Sequence, residues 1–174
     1  MADAVVLPKF LTEAIAKRAI QEVINTVFQR GLNIVNQHAC HIVVLVPSMK
    51  DGRPDDYSDY PNYELRPHVL CSESYNKSAW PQGHKLDVIA KCKALQLWQG
   101  RNDDRTDAMP HLLFPGDCPF WGGVKRHGIV VACSGVQSWL DKMISGMVAD
   151  MMIGMAYHAW MTSDNHAKNV HELT

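Results

Sequence analysis

The sequence predicts a domain of the α+β or α/β class, a sheet with helices packed on it. Three observations lead there. Apolar residues recur at intervals of three and four near both ends of the chain, while two short β-branched runs, at His41–Val46 and Gly128–Cys133, are too brief for helices. The 174 residues are 47% hydrophobic and 20% charged with a net charge of −1, the balance of an ordinary globular chain with one core. A single domain over residues 1–174 is expected.

The elements follow in order. From Thr12, the residues Ile15, Ala16, Ala19, Ile20, Val23, Ile24, Val27 and Phe28 form one apolar helical face. Thr12 is placed to cap its start, and Gly31 to end it in a left-handed cap. The run Ile42–Val46 reads as a central strand covered on both faces and stopped by Pro47. Residues 47–67 contain four prolines, four aspartates and three tyrosines with no period of either kind, which predicts a long inserted polar loop. Loops of about twenty residues in compact domains tend to serve function or partner binding.

A strand resumes over Leu65–Ser72, and a second loop passes through Trp80–Gly83. Helical spacing returns over Asp87–Trp98, with Lys91 and Lys93 offset from the apolar positions and Gly100 closing the element. Arg101–Gly116 is a polar, proline-bounded loop. The apolar strand Gly128–Cys133 halts at Ser134–Gly135, and a helix runs from about Ser138 to Met161. Six of the nine methionines fall between Met143 and Met161, and Leu140, Met143, Ile144, Met147, Val148, Met151, Met152 and Met155 share one broad face. Such a face suits an adaptable core or a subunit contact.

Composition removes several function classes. Lys plus Arg number 17 against 18 Asp plus Glu, and the longest basic run is the pair Lys125–Arg126, so no phosphate-gripping surface and no nucleic-acid partner are expected. No apolar run approaches the ~20 residues that span a bilayer, and Met1–Phe10 lacks a signal pattern, so a cytoplasmic location without membrane attachment is expected. Five cysteines, an odd number with no CxxC pair, argue for free thiols over a disulfide framework or a zinc knuckle.

Candidate chemistry is sparse. His38, Cys40 and His41 resemble a metal cluster, but strand alternation sends Cys40 and His41 to opposite faces, so no metal site is expected there. Asp55, Asp56 and Asp59, like Asp103, Asp104 and Asp107, lack the glycine and ligand spacing of a calcium loop. Ser134 has Ala132 where a nucleophile elbow needs glycine, and Cys133 ends an apolar strand, where burial raises a thiol's pKa. No catalytic set can be named. Gly122–Gly123 before one strand and Gly135 after another differ, because glycine there supplies positive φ or close approach and so marks a crevice floor. On the methionine-rich helix, His158 is a candidate axial ligand for a flat cofactor.

Two segments carry a family resemblance. The first is Leu86–Trp98, with Asp87 near its start, then Ala90–Lys91 and the closing aromatic Trp98. The second comprises Gly122–Gly123–Val124, the strand Gly128–Cys133 running into Ser134–Gly135, and Asp141 six residues beyond that glycine. Together they resemble the GlcG-like family, which includes haem-binding proteins and corrinoid-utilisation accessory domains and carries a haem-degrading domain label. The sequence departs from the family in two places. Residues 47–67 replace the tight turn between its first two strands, and the segment between Gly123 and Gly128 is shorter than usual.

The resemblance implies an α+β, profilin-like fold: a twisted antiparallel sheet flanked by helices in a three-layer-like arrangement, assembled as a homo-oligomer. It implies a small-ligand-binding module for haem or another tetrapyrrole, with Gly122, Gly123, Ser134, Gly135 and Asp141 forming the crevice. In that role the Ser134–Gly135 turn presents backbone N–H groups to an anionic ligand group such as a propionate, while Asp141, in the first turn of the last helix, caps donors. Two other readings stand beside it, an oligomeric interaction or adaptor protein without cofactor and a haem-degrading or redox enzyme.

Overall fold

The computed structural model describes residues 5–29, 32–50, 64–102 and 109–169, and its architecture is the expected α+β class. The elements are β1 (Val5–Val6), α1 (Glu13–Ile24) running into a π-helical turn at Asn25–Gln29, β2 (Cys40–Lys50), β3 (Arg66–Tyr75), α2 (Leu86–Trp98), β4 (Gly123–Arg126), β5 (Ile129–Ser134), α3 (Ser138–Met161) and α4 (Asp164–Ala167). All strand pairs are antiparallel. β2 lies between β3 and β5, β4 flanks β5, and β1 pairs with the far end of β2 at Met49 and Lys50.

Alternation along β2 builds two cores. Ile42, Val44 and Val46 join Val131 and Cys133 of β5 against α1 and α3, whereas Val43 and Leu45 join Val130 and Ala132 against α2. The sheet is therefore a middle layer with helices on both faces, and the uninterrupted apolar run follows from burial on both sides. Thr12 caps α1 as expected, its Oγ1 accepting from the Ile15 N–H at 3.3 Å. Gly31, the expected end of that helix, lies outside the described residues.

Pro47 does not stop its strand. β2 continues to Lys50, and Pro47 stands opposite Pro67 in the β2–β3 ladder, with Ser48 donating its hydroxyl to the Arg66 carbonyl at 2.9 Å. The physical reason is position: Leu45 is the last β2 residue paired with β5, so Pro47 lies past the end of that ladder, where a missing N–H removes no bond. The connection predicted over 47–67 accordingly shortens at both ends. Residues 51–63, with Asp55, Asp56 and Asp59, fall outside the described residues, as do Asp103, Asp104 and Asp107. Between β4 and β5 the chain turns at His127 and Gly128, both with positive φ (+47° and +82°), the type I′ hairpin geometry that matches strand twist.

On α3 the face narrows to a buried line. Leu140, Ile144, Val148 and Met152 are buried at intervals of four, while Met143, Met147 and Met151 are half-buried and flank it. Gly146 makes room for the Arg126 guanidinium, and Gly154 faces open space. Among the described residues no helix is long and apolar enough to cross a membrane. Met152→Ala is expected to lower unfolding free energy by about 2–5 kcal/mol through an unfilled cavity, whereas Met161→Ala, at a site 42% exposed, changes it by less than about 0.5 kcal/mol. Urea unfolding of the two variants measures both.

Candidate functional site

At the end of β5 the two helical layers meet through a lysine. Lys93 leaves α2 on the side facing the sheet, four residues before Leu97 and three after Ala90, both buried. Its Nζ donates to the Cys133 carbonyl at 2.9 Å and to Asp141 Oδ2 of α3 at 2.9 Å. The side chains of Lys93 and Asp141 are 2% and 3% exposed, so a full ion pair is buried. Asp141 Oδ1 accepts the Val136 N–H at 3.2 Å, tying the loop before α3 to the same carboxylate.

Gly122 makes this contact possible. A Cβ on Gly122 would lie 2.5 Å from the Asp141 Cβ and 3.2 Å from Lys93 Nζ, and its φ of +123° disfavours any other residue. Its carbonyl accepts from the Cys133 N–H at 3.3 Å and from Ser145 Oγ at 3.3 Å, which fixes the entry to β4 against α3. At Gly123 a Cβ would meet Leu97 at 2.6 Å, so that glycine admits α2. Gly135, with φ +145°, passes within 2.3 Å of the Ala39 carbonyl when given a Cβ.

Beside the ion pair is a cavity of about 220 Å³. Lys93, Ser134, Gly135, Val136, Ser138 and Asp141 line it together with Leu86, Ile89 and Phe120, and Gln37 and His84 complete the lining. Thus Ser134, Gly135 and Asp141 of the expected crevice meet here. Gly122 and Gly123 stand behind the ion pair and do not line the cavity. His158 is not part of it, since it lies seventeen positions past Asp141 on α3, about 25 Å along the helix axis, and is exposed.

Two buried polar atoms, one lining the cavity and one on the residue before α3, lack hydrogen-bond partners among the described residues. Gln37 Nε2 is buried without a hydrogen bond, α3 has no side-chain cap at Gln137, and the Gln137 Oε1 is also buried and unpaired. A buried donor without a partner costs about 1–3 kcal/mol. Burial pushes the Asp141 carboxyl up to about 6, with Lys93, the Val136 N–H and Cys133 opposing the shift. Burial likewise raises the Cys133 thiol well above its ordinary value, as expected for the end of an apolar strand. All five cysteines are free thiols. Cys40 joins the α1 and α3 side of the sheet while His41 turns to the other face, the separation that strand alternation predicts.

A larger hollow of about 360 Å³ lies between α1 and β3, with Ile20, Ile24, Ile42 and Tyr75 on its walls. Its charged groups, Lys17 and Glu73, already approach each other at 3.9 Å. No protein-family model, curated protein or solved structure matches this chain.

The residue that sequence reading placed on the wrong side is Lys93. Its signal was available in the spacing Leu86, Ala90, Lys93, Leu97, which puts a lysine in the apolar stripe. Lys93→Met alone is expected to cost about 3–5 kcal/mol by leaving Asp141 buried and unpaired, and Lys93→Met with Asp141→Leu to recover most of it. Chemical denaturation of the two variants decides this. Because Asp141 binds its proton more tightly folded than unfolded, its contribution to stability falls as pH rises from about 4 to about 6 and is flat above. Denaturation at stepped pH, compared with Asp141→Asn, reads that slope.

Proposed function

We propose that the chain is a small-ligand-binding module whose cavity at the junction of α2 and α3 seats the acidic head of a flat, apolar ligand. The observation that carries this is a buried donor without a partner, Gln37 Nε2, on a cavity that two serine hydroxyls and the start of α3 also line. The buried Gln37 Nε2, the hydroxyls of Ser134 and Ser138 and the uncapped start of α3 all favour an acceptor, in a cavity where the Lys93 charge is already matched by Asp141. A carboxylate is the smallest group that satisfies several at once.

Volume limits what enters. About 220 Å³ is less than the roughly 300–1,000 Å³ of pockets that enclose a drug-sized ligand, so a head group fits inside and a whole macrocycle does not. Haem or another tetrapyrrole, the ligand implied by the GlcG-like resemblance, therefore seats a propionate in the cavity and rests its ring outside. Phe120 at the mouth and Trp139, 63% exposed and next to Ser138, offer apolar surface for such a ring. His84 is the imidazole on the cavity wall. In this reading the protein works in the cytoplasm as a homo-oligomer, which its free thiols and the exposed Tyr157 and Met161 of α3 support.

Titration of purified protein with haemin is expected to shift the Soret band at micromolar concentration. Gln37→Glu, which replaces an unpaired donor with a negative charge, is expected to weaken binding at least about tenfold, the scale of one charge-assisted hydrogen bond. An unshifted band removes haem, and an unchanged affinity in Gln37→Glu removes this cavity as its seat.

A further inference from the structure

A second cluster lies on the α2 side of the sheet, across β2 from the cavity residue Ser134, and the ligand-binding reading does not use it. His41 is the direct cross-strand partner of Ser74, and Ser72, two residues earlier on β3, shares that face. The imidazole spans both. Its Nδ1 is 2.9 Å from Ser74 Oγ and its Nε2 is 2.9 Å from Ser72 Oγ. The histidine is 5% exposed, while both serines are exposed.

Burial holds the imidazole pKa below its ordinary value. Lys91 and Lys77 act in the same direction and Asp87 against it, so the ring is neutral near pH 7. A neutral imidazole has one N–H and one lone pair, and between two hydroxyls it must donate to one and accept from the other. One serine therefore already gives its proton in a hydrogen bond to a base. In the tautomer that carries its proton on Nδ1, Ser74 accepts that N–H and the lone pair falls on Nε2, where Ser72 donates. Trp80 packs edge-on against the ring at 6.1 Å between centroids, and its buried indole N–H has no partner among the described residues.

We propose that Ser72, His41 and Ser74 form an acyl-accepting site for activated esters with small acyl groups, in which Ser72 is the nucleophile, His41 its general base and Ser74 the positioning residue. The arrangement is that of a nucleophile, a base and a group that orients the base. As Ser72 Oγ attacks the acyl carbon, its proton passes to His41 Nε2. The bond from that carbon to the leaving oxygen breaks, and the leaving oxygen takes the proton from Nε2. Water, deprotonated by the same nitrogen, then attacks acyl-Ser72, the bond from the acyl carbon to Oγ breaks, Oγ takes the proton back from Nε2, and the carboxylic acid leaves.

The test is reaction of the full chain with p-nitrophenyl acetate, followed by release of nitrophenolate and by peptide mass mapping. The expected result is acetyl on Ser72, lost in Ser72→Ala, with His41→Gln slowing acylation at least about a hundredfold. Ser74→Ala slows it less and shifts the pH profile, because it frees the tautomer. The wild-type rate falls as pH drops through the titration of His41. Circular dichroism checks that the variants fold. Should His41→Gln unfold, the exposed Ser72→Ala and the wild-type pH profile decide. Absence of acetyl on Ser72, acetyl confined to Ser74 or to lysines, or a His41→Gln rate within threefold of wild type each overturns the proposal.

Discussion

The structure depends on one buried ion pair. α2 and α3 lie on opposite faces of the sheet, and without a link past the end of β5 each would be held only by its own apolar contacts. Lys93 and Asp141 supply that link, and every neighbouring feature is shaped to permit it. Gly122 leaves the space the carboxylate occupies, the Cys133 carbonyl takes a second lysine proton, and the Val136 N–H fixes the other carboxylate oxygen. Each charge is thereby hydrogen-bonded as well as paired, the condition under which a buried pair is tolerated.

The same pair makes the cavity polar. A gap between an apolar helix and a sheet end would close or stay dry, but here the wall is formed by charged and hydroxyl groups whose positions the ion pair determines. Ser145 reinforces this from behind, its hydroxyl bridging the Gly122 carbonyl and the Asp141 carbonyl at 3.3 and 2.7 Å. Past the end of α2, side-chain hydrogen bonds tie the described residues together. There Arg101 binds Asp117 and the Leu112 carbonyl, Asp117 accepts from the Phe114 N–H, and Gln96 holds the Cys118 carbonyl at 3.1 Å.

Much of the architecture was legible because periodicity reports burial. Thr12, the run Ile42–Val46, Leu86–Trp98 and the helix from Ser138 each announce their environment, and the structure places them accordingly. The crevice was half legible. Ser134, Gly135 and Asp141 line one cavity, but a motif says nothing of a partner in another segment, and the spacing sets Lys93 only as offset from the apolar positions. Two buried polar side chains, Lys93 and Gln96, hide the amphipathic pattern of α2 from a count of apolar positions. Pro47 was misjudged for a related reason: whether a proline ends a strand depends on which neighbour stands beside it, and that is a property of the sheet. His158 lies outside the cavity because helix length, not helix membership, sets its distance from the glycine turns.

The irregular side of β3 has a consequence for association between chains. β3 is a ten-residue edge strand, long enough to serve as a template on which a foreign strand could add. Pro67 removes one donor from it, Arg66 places a charge at its start, and the bulge that sets Leu70 out of register with Val44 and Leu45 bends the remainder. A second strand laid along that edge would find its hydrogen bonds interrupted within a few residues. The proline pair and the bulge thus guard a long exposed edge against amyloid-like stacking.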